Sequence, residues 1–335
     1  MGSTAIGLVS RRRLLLGMAA GVSGCAAPAP PGWVLNTAPV RDGSFVMRDG
    51  VRLPYRAWLP EGPPVAVVLA LHGMNDSRDA WEIPGPAFAA AGIALYGPDQ
   101  RGFGEAPGRG RWPGAAALTE DAATMLALLA DRHPGVRLLA MGESMGGAVL
   151  MRLGAGAPPP EVAGYILVSP AVWGRAEMDL LLRSGLWLVS HTIPAMTVTG
   201  GGPIRVLASD NLAALRRLGR DRLTLHTTRF DALRGLVDLM DDALAAAARL
   251  TVPALAMYGG HDELVPKRAT RAAWQRLPAG SPVRLAYYPN DYHLMLRDLE
   301  RDGPIGDAVA WIGSPAAPLP SGADIAARAW LNETA

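Results

Sequence analysis

The run Val136-Arg137-Leu138-Leu139-Ala140-Met141 reads as a buried strand, and Gly142-Glu143-Ser144-Met145-Gly146 follows it directly. Gly147 to Leu153 then reads as a helix. A serine with glycine two residues to either side, set between a strand and a helix, constrains this chain more than any other segment. The backbone must turn so sharply there that close neighbours leave room only for small residues, and the turn lifts Oγ out of the sheet. It also aims the N–H of the following residue at a developing oxyanion. The chain holds 39 glycines, so the strand before the pentapeptide and the helix after it carry the inference, not the pentapeptide alone.

The rest of the body repeats this alternation. Residues 44–48 and 51–58 flank Asp49-Gly50, a strong hairpin turn. Residues 65–71, 93–97, 136–141, 164–169, 254–258 and 283–288 are near-continuous β-rich runs, as parallel strands covered on both faces should be. Helical spacing fills 80–91, 118–132, 145–153 and 267–276. The expected class is therefore α/β: a mostly parallel sheet of eight strands with an antiparallel edge and helices on both faces. One stretch, residues 171–249, has no clear strand. It offers helix-like runs at 178–189 and 233–250, with a Gly200-Gly201-Gly202-Pro203 break between them. Leu180, Leu181, Leu182, Leu186, Trp187, Leu188 and Val189 are too apolar all round for a solvated helix, so that helix is expected to be buried or to line an apolar site.

The ends carry separate signals. Ser10-Arg11-Arg12-Arg13-Leu14-Leu15-Leu16 is a basic segment running into an apolar stretch too short to span a bilayer, so residues 1–25 read as an export signal. The arrangement resembles a twin-arginine signal. Val22-Ser23-Gly24-Cys25 resembles a bacterial lipobox, which implies lipidation of Cys25, a membrane anchor and an outer-membrane address in the cell envelope. Cys25 is the only cysteine, which excludes an internal disulfide. Without the three arginines of residues 1–25, 29 basic side chains stand against 30 acidic ones. The concentrated positive surface that nucleic-acid binding needs is missing. Residues 26–39, rich in Ala and Pro, read as a tether, and 314–335 as a Pro/Ala-rich tail that ends in a short helix carrying Trp330.

Eight strands in this order resemble the α/β-hydrolase fold, with core segments 40–170 and 250–313 and a helical cap, 171–249, inserted after strand 6. A serine nucleophile needs a base, and the base an orienting acid; in this fold their chain order is Ser, acid, His. His133 lies at a helix end and His191 and His226 in the insertion, while His261 follows the seventh strand. The order selects His293, in Asn290-Asp291-Tyr292-His293-Leu294-Met295 beyond the last strand. The acid then comes from Gly259-Gly260-His261-Asp262-Glu263-Leu264-Val265-Pro266, where Asp262 and Glu263 both qualify chemically.

Five motifs occur in order: His72-Gly73-Met74, Tyr96-Gly97-Pro98-Asp99-Gln100-Arg101-Gly102-Phe103-Gly104, Gly142-Glu143-Ser144-Met145-Gly146-Gly147, the acid loop just quoted, and Tyr292-His293-Leu294-Met295-Leu296. Together they resemble the monoacylglycerol lipase and lysophospholipase branch of the serine α/β-hydrolases, which is serine aminopeptidase S33-like. The resemblance implies a triad of Ser144, Asp262 and His293, with Glu263 as the reserve acid. It implies oxyanion donors in the backbone N–H groups of Met74 and Met145, with His72 fixing the loop. Asp99 and Arg101 become a strand-end polar pair holding the active-site loop. The implied reaction is hydrolysis of acyl-ester lipids through an acyl-enzyme, with no metal or organic cofactor. Other readings are a short-chain carboxylesterase, a non-catalytic envelope lipoprotein, and a proline-iminopeptidase-like peptidase. The last needs a cap acid to hold a free amine, and Glu177, Asp179, Asp231 and Asp238 are available.

Overall fold

The computed structural model describes residues 40–199 and 206–333. Cys25, the export signal, the tether and the Gly200-Gly201-Gly202-Pro203 break lie outside the described residues. A hairpin opens the sheet: β1 (Val40–Val46) and β2 (Arg52–Trp58) pair antiparallel with Phe45 opposite Leu53. Gly50 sits at φ 78°, and the Val51 N–H donates to Asp49 Oδ1 at 3.1 Å, so Asp49-Gly50 forms the turn. There follow β3 (Ala66–Leu71), β4 (Ile93–Pro98), β5 (Arg137–Glu143) and β6 (Val162–Val168). Two short strands, β7 (Thr197–Thr199) and β8 (Thr227–Arg229), precede β9 (Ala254–Gly259) and β10 (Val283–Tyr288).

The main sheet runs β1-β2-β4-β3-β5-β6-β9-β10, antiparallel at β1/β2 and β2/β4 and parallel from there on. Every residue of β3, β4 and β9 is buried, which is why those runs carry no polar alternation. Their side chains divide by parity. Val67, Leu69 and Leu71 join one apolar layer with Met125 of α2 (Ala115–Arg132) and Val149 of α3 (Met145–Ala155). Ala66, Val68 and Ala70 join the opposite layer with Phe88 of α1 (Pro84–Ala90) and Trp311 of α8 (Asp302–Gly313). The chain thus steps from β3 to β4 on one side and then crosses to β5 on the other. The ends of β3 and β5 meet at this switch point, where doubly wound sheets open a crevice.

Three local expectations need correction. The helix expected over 80–91 is divided into a 3-10 turn, Arg78–Trp81, and α1, because Pro84 brings no N–H and cannot continue a helix through its own position. Residues 171–249 do contain strands: β7 and β8 form a separate antiparallel pair, with Thr197 opposite Arg229. They stand beside α4 (Leu180–Thr192), α5 (Leu212–Leu218) and α6 (Phe230–Ala246). Third, the apolar helix α4 is not buried as a whole: Leu181 is 85% and Trp187 62% exposed, while Leu182, Leu186, Val189 and Ser190 are more than half covered.

Near the chain's end, α7 (Lys267–Gln275) and α9 (Ala323–Asn332) share an aromatic cluster. Trp330 of α9 stacks on Tyr287 at 4.8 Å between centroids and meets Trp274 of α7 edge-on at 5.3 Å. The tail helix is therefore docked on the sheet edge. Among the described residues no helix is long and apolar enough to cross a membrane.

Candidate active site

Ser144 stands between β5 and α3 at φ 53°, ψ −113°, a backbone conformation that costs an L-residue free energy and persists only where surroundings enforce it. The glycines explain the enforcement. A Cβ on Gly142 would lie 2.4 Å from the Gly146 backbone, and one on Gly146 would lie 2.2 Å from the Leu71 carbonyl oxygen. A Cβ on Gly147 would meet Pro170 at 2.9 Å. The turn is held by Ser144 N–H donating to Val168 O (2.9 Å) and Ala171 N–H donating to Ser144 O (2.9 Å). Ser144 remains partly exposed, while Glu143 and Met145 beside it are buried.

Two loops that leave the same, C-terminal end of the parallel strands meet this turn. After β9, the Asp262 carboxylate accepts backbone N–H bonds from Leu264 (2.8 Å) and Val265 (2.9 Å) through Oδ1. Its Oδ2 lies 2.7 Å from Nδ1 of His293, in the loop after β10, and both side chains are buried. Burial works against an imidazolium at His293, but the charge and hydrogen bond of Asp262, with help from Glu143, raise its pKa above the ordinary value. Glu263 points away: its carboxylate accepts from Leu207 N–H at 2.7 Å, and the residue is exposed. Of the two acids that qualified by chemistry, Asp262 alone reaches His293. The other histidines are engaged elsewhere or exposed. His133 meets the Tyr96 hydroxyl, His191 stacks on Trp187, and His226 and His261 are exposed.

The loop after β3 completes the surround. Gly73 closes over the turn, since a Cβ there would stand 3.3 Å from Ser144 Cβ. His72 is buried within the loop: Gln100 N–H donates to its Nε2 (3.1 Å), so Nδ1 carries the proton donated to Gly73 O (2.7 Å). Burial lowers its pKa, consistent with a neutral ring tying two loops together. Met145 is the first residue of α3, where a helix has no internal acceptor for the N–H, and Met74 borders the same cavity as Ser144. Asp99 and Arg101 do not pair with each other. Asp99 accepts from the Arg78 N–H (2.7 Å), the Arg78 guanidinium (2.6 Å) and the Glu105 N–H (2.8 Å), whereas Arg101 binds Asp121 and Asp49. Asp99 thus anchors the residues that follow the Met74 loop, with Arg78 as its partner.

Ser144 and His293 open into one cavity of about 530 Å³. Its walls are apolar and come largely from the insertion: Leu182 and Leu186 of α4, and Leu233, Leu236 and Met240 of α6. The polar residues bordering it are Ser144, His293, Asp76, Glu143, Asn75 and Thr224. Trp187, grouped with Leu186 by its place in the sequence, faces solvent instead. The motifs gave no hint of Arg297, a buried cation paired with both Asp76 and Glu143. Its one signal was a charge directly after the apolar run Leu294-Met295-Leu296. Among the described residues no group of His, Cys, Asp and Glu is arranged to hold a metal ion.

Comparison with known proteins places the chain among its relatives. Monoacylglycerol lipase of Mycolicibacterium smegmatis is 28% identical over 274 residues, covering 81% of this chain and 96% of that protein. Human monoglyceride lipase is 24% identical over 262 residues, 76% of this chain and 84% of the relative. Among solved structures, a soluble variant of the monoglyceride lipase of Saccharomyces cerevisiae superposes with a TM-score of 0.69 at 20% identity, over 84% of this chain and 97% of the other. That likeness bears on the fold, which is the α/β-hydrolase fold. The family model described as serine aminopeptidase, S33, matches residues 62–300, from just before β3 to beyond the His293 loop, and the chain belongs to that family of α/β hydrolases.

Proposed function

We propose that this protein hydrolyses lipid esters of the monoacylglycerol class through an acyl-enzyme on Ser144. The observation that carries the reading is the cavity: a largely apolar chamber of about 530 Å³ bordered by a serine on a strained turn and by a histidine oriented by a carboxylate. A single acyl chain fits its walls, and the carbonyl then lies at Ser144. His293 takes the Ser144 proton as Oγ attacks the carbonyl carbon, while Asp262 fixes the ring tautomer and stabilises the imidazolium. The Met145 and Met74 N–H groups receive the oxyanion. The carbon–oxygen ester bond then breaks, and His293 returns the proton to the departing alcohol. Water activated by the same histidine attacks the acyl-enzyme and releases the fatty acid.

The peptidase reading finds no support in the insertion. Asp238 pairs with Arg175, Asp231 with Arg229, and Asp179 caps α4 through the Leu182 N–H; neither they nor Glu177 borders the cavity. A free amine entering along the insertion meets leucine and methionine. The names of the relatives point the same way.

Hydrolysis of a long-chain monoacylglycerol by wild type and by Ser144→Ala tests the reading, with a fluorophosphonate probe to count reactive serines. Turnover and labelling should both vanish with the substitution. Turnover retained by Ser144→Ala would remove the proposal. Export and lipidation at Cys25 are proposed on the sequence alone, as a means of holding the enzyme at an envelope membrane. Cys25→Ser should leave the protein soluble after a high-salt wash, and continued pelleting with membranes would count against it.

A further inference from the structure

Three loops carry the groups assigned above: Met74 after β3, Ser144 after β5 and His293 after β10. Each loop, or the strand residue that leads into it, also sends one charged side chain into a single buried cluster. Arg297, four residues beyond His293, directs Nη2 to Asp76 Oδ2 at 2.8 Å and to Glu143 Oε1. Asp76 lies two residues after Met74, and Glu143 immediately precedes Ser144. All three side chains are buried. One guanidinium nitrogen is thereby shared between the loop that offers one oxyanion donor and the turn that offers the other.

We propose that Arg297 is a positioning residue that clamps the oxyanion loop, the serine turn and the histidine loop into one register. The role rests on the hydrolase reading above. Stability gives little reason for such a cluster, because replacing buried ion pairs by apolar groups of similar volume is often neutral or favourable. Registration does give a reason. An oxyanion hole works only if its donors are already spaced for the tetrahedral intermediate, and here the two donors come from different loops. No regular hydrogen-bond ladder continues past the ends of β3 and β5 to hold those loops together.

The surroundings keep the clamp from drifting. Asp76 Oδ1 accepts the Ser77 N–H at 2.8 Å, so the carboxylate is fixed to its own loop. The Arg297 carbonyl accepts from Asn211 Nδ2 at 2.9 Å, and the Leu294 N–H donates to Ala208 O at 2.9 Å. The histidine loop is therefore tied to the entry of α5 at both ends of the 294–297 turn. On the basicity of His293 the cluster acts in two opposed senses, Glu143 raising it and Arg297 lowering it. Placement of the loops is what the three residues supply together.

The test compares wild type with Arg297→Met, Arg297→Lys and the triple variant Asp76→Asn/Glu143→Gln/Arg297→Met. The triple variant removes the buried charges together, so no unpaired carboxylate is left to unfold the protein. For each folded variant, kcat and KM are measured on a p-nitrophenyl ester, together with the inhibition constant of an alkylboronic acid that forms a tetrahedral adduct on serine. The expected result is a fall in kcat of about 100-fold in Arg297→Met and the triple variant, the scale of losing one oxyanion donor. KM should stay near wild type, boronate affinity should weaken in step with kcat, and Arg297→Lys should recover part of both. Folded variants whose kcat stays within about three-fold of wild type overturn the clamp, as does a loss confined to KM with boronate affinity intact. An active wild type with fully active variants sinks the clamp alone. A wild type without Ser144-dependent turnover overturns the hydrolase reading and the clamp with it.

Discussion

Two glycines separate the molecule's two regions. At the serine turn, a Cβ on Gly146 would lie 2.2 Å from the Leu71 carbonyl oxygen, whereas a Cβ on Gly185 in α4 would meet nothing within 4 Å. The first region is specified atom by atom, because backbone approaches backbone there and one extra carbon has nowhere to go. The second is specified only in its chemistry. An apolar chamber needs leucine-sized walls, and several arrangements of leucines on a helix supply them. What reacts is placed by close contact; what is bound is selected by a surface.

The largest effect should fall on the reacting groups. Ser144→Ala or His293→Ala should lower turnover by about 10⁴-fold or more without loss of fold, as removal of a triad member does elsewhere. A circular dichroism spectrum and a rate assay decide it, and a folded His293→Ala variant with near-wild-type rates would break the assignment. Next come the glycines themselves. Gly146→Ala should cost at least about 1–3 kcal/mol from overpacking against the end of β3, and should impair catalysis. Gly185→Ala should instead raise stability by up to about 1 kcal/mol, because alanine favours helix and finds open space. Thermal melts of the two variants test the contrast directly, and equal melting points would erase it.

The insertion can be divided in the same manner. Leu182 and Leu186 border the cavity, while Leu181 and Leu188 on the same helix are exposed. Replacing the first pair by asparagine should depress kcat/KM for long acyl chains far more than for acetate. Each methylene that loses its apolar wall forfeits about 0.8 kcal/mol. Replacing the second pair should leave the chain-length profile of soluble esters unchanged. Equal profiles for both double variants would mean that α4 is structural packing only.

Two smaller effects follow from charge. Because Asp262 raises the His293 pKa over the opposing effect of burial, the acid limb of kcat/KM should have its midpoint above 6.5, the ordinary histidine value. The base works when neutral, so activity is lost as the pH falls through that midpoint. A midpoint clearly below 6.5 contradicts the pairing. Asp291, beside the same loop, is pushed up to about 7 by burial and by Asp298, Glu300 and Asp210. A carboxyl whose folded-state pKa is raised destabilises the fold once it ionises, and that penalty is complete only above pH 7. Asp291→Asn should therefore raise the melting temperature more at pH 8 than at pH 5, and a uniform shift would point elsewhere.

The sequence was most legible where local rules leave few choices. Strands buried on both faces show as unbroken apolar runs, and Asp49-Gly50 announces a hairpin. The glycine spacing around Ser144 announces a turn that excludes Cβ atoms. Chemistry alone left Asp262 and Glu263 both open and the resemblance chose Asp262; the structure adds the physical reason, because backbone direction in that loop brings Asp262 to His293 and turns Glu263 to the Leu207 N–H. The three-residue strands β7 and β8 and the seven-residue helix α5 are too short to show a period. Of the two readings its sequence allowed, α4 takes the second, lining a cavity through Leu182 and Leu186; its other leucines are exposed because hydrophobicity reports what a side chain prefers, not whether a neighbour exists to cover it. Arg297 was missed because its partners, Asp76 and Glu143, lie 221 and 154 residues away in the chain and meet it only through the order of the sheet.

The most direct test of the central claim is a series of monoacylglycerol and p-nitrophenyl esters from acetate to long acyl chains, with kcat/KM measured for wild type and Ser144→Ala. The cavity and its leucine walls predict a rate that depends on Ser144 and climbs with acyl length. A rate that peaks at acetate or butyrate, or one that survives the loss of Ser144, would contradict it.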